Sequence, residues 1–166
     1  MNLADFQAFV SSVAGVKVIR ANQSKERPAR PYATWNIISQ VRQGQKETSL
    51  TSSGLTVDEE TALPYVYNVE IQFYTSSDKK ENNGKLAREL ANDFLLYLST
   101  TAGIDAVVEF DFKILNHSDY ANEDLYLSTE FERRAVIELQ VFSRESIVLP
   151  VSTIDRDQTI ITLNLV

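Results

Sequence analysis

The sequence predicts an α+β fold: a mainly antiparallel, mixed sheet with two packed helices. Three observations predict it. Apolar residues recur at three and four from Leu3 to Val13 and again from Leu86 to Leu98, which is the period of amphipathic helices. Strict alternation runs through Tyr32–Arg42, Tyr65–Phe73 and Ala135–Val141, which is the period of half-buried strands. The connections between these segments are mostly too short for repeated right-handed crossovers, so neighbouring strands should run antiparallel.

The first helix carries Leu3, Phe6, Phe9, Val10 and Val13 on one stripe, with Asn2 placed to cap it and Gly15 to stop it. A strand, Val16 to Arg20, follows. Pro28 and Pro31 then fix φ near −65° and push the residues before them out of the α region, so Arg27 to Tyr32 forms a stiff, extended elbow. In the strand Tyr32 to Arg42, the face Ala33, Trp35, Ile37, Ser39 and Val41 alternates with Thr34, Asn36, Ile38, Gln40 and Arg42. Gln43 to Glu60, rich in Thr, Ser, Gly and Gln, reads as a loop or a protruding hairpin. A loop this long in a compact domain is more often a contact element than filler.

The next strand turns Tyr65, Tyr67, Val69, Ile71 and Phe73 to one face. Ser77 or Asp78 is placed to cap a second helix, whose stripe is Leu86, Leu90, Phe94 and Leu98 and which should end near Thr100, with Gly103 as its stop. Ala106 to Leu115 reads as a strand, Asn116 to Asp124 as a polar loop, and Ala135 to Val141 as a third strong strand. These elements make one domain, residues 1–150. Residues 151–166 differ in character: Ser152 to Gln158 is polar and charged, and Thr159 to Val166 alternates again. Such a segment either pairs within its own sheet or reaches out as an arm, with Ile160, Leu163 and Leu165 burying themselves on a neighbour's sheet edge.

A chain of 166 residues is long enough to bury a sizeable core without staples. It has no cysteine, which removes disulfide frameworks, thiolate metal sites and thiol nucleophiles. The start, MNLADFQAFV, has no basic segment of the kind that opens a signal peptide, and no apolar run approaches the roughly twenty residues of a membrane span, so a soluble, unprocessed protein is expected. A net charge of −7 argues against general nucleic-acid binding, which needs clustered Lys and Arg. The charge is uneven, however. Arg20, Lys25, Arg27 and Arg30 form a basic cluster, whereas Asp58, Glu59 and Glu60 are acidic. Scattered surface charge explains either group; the sharper reading is that the two meet across a subunit contact.

Site chemistry is sparse. The single histidine, His117, sits among Asn116, Ser118 and Asp119, as a solvated turn residue does. Glu109 and Asp111, or Asp155 and Asp157, would each share one face if extended, yet neither pair has the further oxygen ligands or loop spacing of a calcium site. The glycines are too far apart to cradle a phosphate, and no Gly-x-Ser-x-Gly elbow exists. No catalytic residue, cofactor or metal is predicted. Tyr65, Tyr67, Phe73 and Tyr74 could stack bases, but without interleaved Lys or Arg they read better as core and interface packing.

Two stretches carry a family resemblance: VIRANQSKERPARPYATWNII, from Val18 to Ile38, and Glu132-Arg133-Arg134-Ala135, which opens a long strand. Together they resemble the neck or tail terminator proteins of tailed bacteriophages, over most of the chain up to about Phe142. The resemblance implies a small, non-enzymatic α+β subunit of the virion that assembles in the host cytoplasm as a ring, usually a hexamer, at the head-proximal end of the tail. There it implies arrest of tube growth and contact with copies of itself, with the tail tube and sheath and with head connector proteins, and non-specific proximity to genomic DNA in the lumen. It transfers no catalytic residue, and Thr56 to Ala62 and the segment after Phe142 lie outside its motifs. Two other readings stand beside it: a head-completion or tail-tube subunit, and a small-ligand or peptide-binding module using the sheet face of Tyr65 and Tyr67.

Overall fold

A computed structural model of the chain describes residues 1–22, 26–53, 56–78, 80, 84–110, 112–127 and 130–151. Helix α1 (Leu3–Ala14) begins where Oδ1 of Asn2 accepts from the N–H of Ala4 at 3.0 Å, and it ends at Gly15, whose φ of 63° lets its N–H reach the Ser11 carbonyl. Strand β1 (Lys17–Arg20) pairs parallel with β2 (Tyr32–Arg42), and the chain between them includes a cis Arg30–Pro31 peptide. Then come β3 (Glu47–Ser53), β4 (Thr56–Ser76), α2 (Ala87–Leu98), α3 (Thr101–Glu109), β5 (Phe112–His117), β6 (Ala121–Asn122), β7 (Leu125–Leu127) and β8 (Glu130–Val151). The sheet order is β1-β2-β4-β8-β5, with β3 added to β4 and β6 and β7 added to β8. Every pairing but β1–β2 is antiparallel, so the α+β class with a mainly antiparallel, mixed sheet is borne out.

The core lies on the sheet face that turns Ala33, Trp35, Val69, Ile71, Phe73, Ile137, Leu139 and Val141 toward the helices. Phe6, Phe9 and Val10 of α1 and Leu90, Ala91 and Phe94 of α2 are buried against it. Phe6 meets Trp35 edge-on at 5.1 Å between ring centroids, and Phe9 meets Phe112 edge-on at 5.2 Å. The opposite face is more polar: Asn36, Glu70 and Glu138 occupy one row, and Thr34 and Gln72 sit beside Val136 in the next.

Strands β4 and β8 form the spine. Their register runs unbroken from Ser76↔Glu132 to Val57↔Val151, without a bulge. At one end this pair carries the helices; at the other, β3 joins β4 in a three-stranded arm, from Glu47↔Ala62 to Ser53↔Thr56.

Four expectations need correction. Gly103 does not stop the second helix; it lies in the first turn of a third, α3, so Ala106 to Glu109 is helical and only Phe112 onward is strand. The N–H at the start of α2 is met by Thr75 Oγ1, at 3.1 Å from Ala87 N, not by Ser77 or Asp78. A bulge between Ile37 and Ser39 reverses the facing of β2, so the Ser39 hydroxyl accepts from Asn68 Nδ2 on the polar side at 2.7 Å, and Val41 leaves the core face and is exposed. The strand read over Ala135 to Val141 does not end there but continues to Val151. Of the two readings of Gln43 to Glu60, the protruding hairpin holds: β3 and the start of β4 pair antiparallel there. The last described pair is Val57↔Val151, and residues 152–166 lie outside the described residues.

Candidate functional site

The proline elbow and the Glu132-Arg133-Arg134-Ala135 stretch meet in space. Arg30 Nη2 stands 2.7 Å from Oε2 of Glu132, whose side chain is 1% exposed, and Arg134 Nη2 lies 3.6 Å from the other carboxylate oxygen. Arg134 also lies over the ring of Tyr74, 5.0 Å from its centroid, and Tyr74 stacks on Tyr32 at 4.7 Å with ring planes 9° apart. The elbow thus clamps two β-strand tyrosines between cations and a buried carboxylate. Burial first, and then the Glu132 charge, hold the Tyr32 phenol above its ordinary pKa, so it stays neutral. Arg20 lies over Trp35 at 5.6 Å. Arg27 is exposed and lines, with Arg20, Tyr32 and Gln72, a shallow polar cleft of about 440 Å³.

The acidic group lies elsewhere. Asp58, Glu59 and Glu60 are on the arm, where Glu59 faces Leu50 on one side and Leu149 on the other. Alternation places Glu59 on the face continuous with the core, and Asp58 and Glu60 on the polar one. From Glu132 to Leu149 the spine extends roughly 55 Å at ~3.3 Å per residue, so the basic elbow and the acidic arm do not meet within one chain. Lys25, Ile160, Leu163 and Leu165 lie outside the described residues.

Where body gives way to arm, a polar clasp ties three strands together. Gln40 Nε2 donates to the Tyr67 hydroxyl at 3.2 Å, and that hydroxyl donates to Oε1 of Glu145. The hydrogen bond from Tyr67, together with the Met1 ammonium 3.1 Å away, lowers the Glu145 pKa, although partial burial works against it. Tyr67 in turn is raised, by burial first and by Glu145 second. Because Tyr67 is 3% exposed, it offers no ring to a ligand on that sheet face. On the far side of the arm, Arg144 reaches Glu47 at 2.6 Å.

Two groups of exposed aliphatic side chains escaped the sequence reading. On the arm, Leu50, Ile147 and Leu149 are 68%, 63% and 58% exposed. On the body, Ile104 and Val108 of α3 and Leu115 of β5 are similarly exposed, and they border an open cleft of about 470 Å³ whose floor includes Leu98 and Ile114 and whose rim includes Lys113 and His117. Apolar groups massed in this way on a folded surface mark contact sites. The run Ile147-Val148-Leu149-Pro150-Val151 was the available signal for the first group.

His117 ends β5 and is exposed, with Nδ1 3.3 Å from the Ser118 carbonyl oxygen. Glu109 ends α3, and Asp111 is outside the described residues, so the strand-face pairing expected of them does not describe Glu109. Among the described residues no cluster of three or more metal-ligating side chains occurs, and no helix is long and apolar enough to cross a membrane. What the geometry offers is surface: a clamped elbow, a long arm and an apolar cleft. A family model described as Phage neck terminator protein matches residues 4–164. No curated protein matches the chain significantly.

Proposed function

We propose, for a chain that belongs to the phage neck terminator protein family, that it assembles as a homohexameric ring at the head-proximal end of the tail, stops growth of the tail tube and joins the tail to the head connector. Membership makes the protein a structural component of the phage neck, and so of the virion, in contact with other tail and neck proteins. It also bears out the resemblance carried by the proline elbow and the Glu132-Arg133-Arg134-Ala135 stretch. The single observation that carries the proposal is this match, which spans nearly the whole chain.

Two features of the subunit support the reading. The arm projects beyond the helix-covered core, as a subunit needs if it is to reach past its own body to a neighbour. The basic elbow and the acidic arm, held at opposite ends of the spine, can satisfy one another only between molecules. With Arg30 engaged by Glu132, Arg20 and Arg27 are, among the described residues, the elbow cations offered to an acidic neighbour or to the passing genome, and Asp58 and Glu60 are their counterparts on the arm. Assembly in the host cytoplasm, contact with the sheath and a role for Ile160, Leu163 and Leu165 at a neighbour's sheet edge belong to the same reading.

Size-exclusion chromatography with light scattering, and negative-stain images of purified tail tubes incubated with the protein, test it. The expected result is a ring-sized oligomer and capped tubes. A protein that stays monomeric at high concentration and leaves tubes uncapped refutes it.

A further inference from the structure

The two exposed aliphatic groups have complementary form and charge. The arm presents Leu50, Ile147 and Leu149 on the face continuous with the core, with the Glu59 carboxylate between Leu50 and Leu149. The body presents an apolar cleft between α3 and β5 with the exposed Lys113 on its rim. Among the described residues neither Glu59 nor Lys113 is in an ion pair. The acidic residues of α3, Asp105 and Glu109, do not line the cleft, although Asp105, three residues before Val108, flanks it.

The arm of one chain cannot fill that chain's own cleft. Ile114 of the cleft pairs with Val141, and Leu149 lies eight residues farther along β8, about 26 Å at ~3.3 Å per residue. The unbroken pairing of β4 with β8, edged by β3, keeps the arm from folding back over that distance.

We propose that the core-side face of the arm in one copy seats in the α3–β5 cleft of the next copy, with Leu50, Ile147 and Leu149 filling the cleft and Glu59 meeting Lys113. The contact joins two different surfaces, so it is heterologous and does not end at a dimer; repeated by a rotation that closes, it makes a ring. This inference rests on the ring reading above and names the joint that makes the ring.

The test uses two single variants, Leu149→Asp on the arm and Val108→Asp in the cleft. Both positions are largely exposed, and circular dichroism checks that each variant folds. In light-scattering experiments each alone should associate roughly 30-fold or more weakly than wild type, as loss of an interface anchor does. Mixed in equal amounts, they should form a dimer, because one intact arm then faces one intact cleft. Variants that assemble like the wild type overturn the joint while leaving the ring reading in place, and variants that are both monomeric yet fail to pair when mixed show that the two surfaces do not face each other. A wild-type protein that is itself monomeric at high concentration removes the ring reading and the joint with it. Should Leu149→Asp not fold, a Leu50→Cys, Val108→Cys double variant decides: the chain has no native cysteine, so oxidation should give a ladder of disulfide-linked oligomers on a non-reducing gel, and a band of monomer alone overturns the proposal.

Discussion

Arg30 Nη2 lies 2.7 Å from Oε2 of Glu132, 102 residues farther along the chain. This pair fastens the proline elbow to the start of β8, and Arg134 completes it from the same strand. The carboxylate is buried, so removing it takes a charged partner from Arg30 and Arg134 at a place where water replaces it poorly. Glu132→Ala should therefore lower stability by about 3 kcal/mol, near the lower end for breaking a buried pair, since Arg30 keeps some access to solvent. Urea unfolding measures it; an unchanged midpoint means that the clamp contributes nothing.

Arg27 behaves differently. It is exposed at the elbow, and its reversal leaves Glu132 paired. Arg27→Glu should weaken assembly in a salt-dependent way while the melting temperature stays within a degree or so. Reversing Arg30 as well would confuse the two effects, because it sets a second carboxylate beside the buried one. Assembly of Arg27→Glu that matches wild type at low salt counts against the elbow as an interface.

The body of the fold was legible in the sequence because burial imposes a period. Phe6, Phe9 and Val10 at helical spacing, and Val69, Ile71 and Phe73 at strand spacing, each face one core, and both patterns survive in the structure. The arm was legible only in part, as the protruding hairpin that Gln43 to Glu60 allowed. It has little core to face, so Ser143-Arg144-Glu145-Ser146 shows no alternation, and β8 read as ending where its burial ends. Helix α3 was hidden by β-branched Val107 and Val108, whose strand preference is weaker than the packing of Val107 against the core. The bulge at Ile38 leaves no mark in the pattern, because Ser39 and Gln40 are both polar. The charged candidates were visible as clusters, but only the fold shows that Arg30 is used within its own chain.

Gly103 illustrates a close approach that composition conceals. A Cβ at this position would stand 2.1 Å from the carbonyl oxygen of Tyr97, where the start of α3 crosses the end of α2. Backbone cannot step aside as a side chain can, so Gly103→Ala should cost about 2 kcal/mol or more. A thermal melt of this variant at the wild-type temperature shows the helix junction to be looser than described.

The clasp at the base of the arm gives the stability a pH dependence of known sign. Glu145 has a folded pKa below its ordinary value, chiefly through the hydrogen bond from Tyr67. A depressed carboxyl adds stability that is fully present above its unfolded pKa, about 4.3, and is lost as pH falls through the folded value. The loss between pH 4.3 and the folded pKa should be smaller in Glu145→Gln than in wild type, whereas the two should keep a constant offset above pH 6. Unfolding free energies measured from pH 2.5 to 7 check this, and parallel curves throughout the acid range exclude a role for Glu145.

The end of the arm decides what the residues beyond it do. The last described pair is Val57↔Val151, so a chain ending at Val151 retains every strand pairing described for β4 and β8. Its core, formed by α1, α2 and the helix-side rows of the sheet, is untouched as well. Truncation after Val151 leaves those described pairings in place, and the unfolding midpoint of the truncated monomer reports what residues 152–166 add to them. If Ile160, Leu163 and Leu165 engage a neighbour, the same truncation lowers the oligomer mass in light scattering, and adding a peptide of residues 152–166 in excess inhibits assembly of the full chain by competition. If those residues serve the chain's own fold, stability falls first, at concentrations where only monomer is present. A truncated chain that folds and assembles as the full one does assigns them to neither role, and leaves the arm face of Leu50, Ile147 and Leu149 to carry the contact alone.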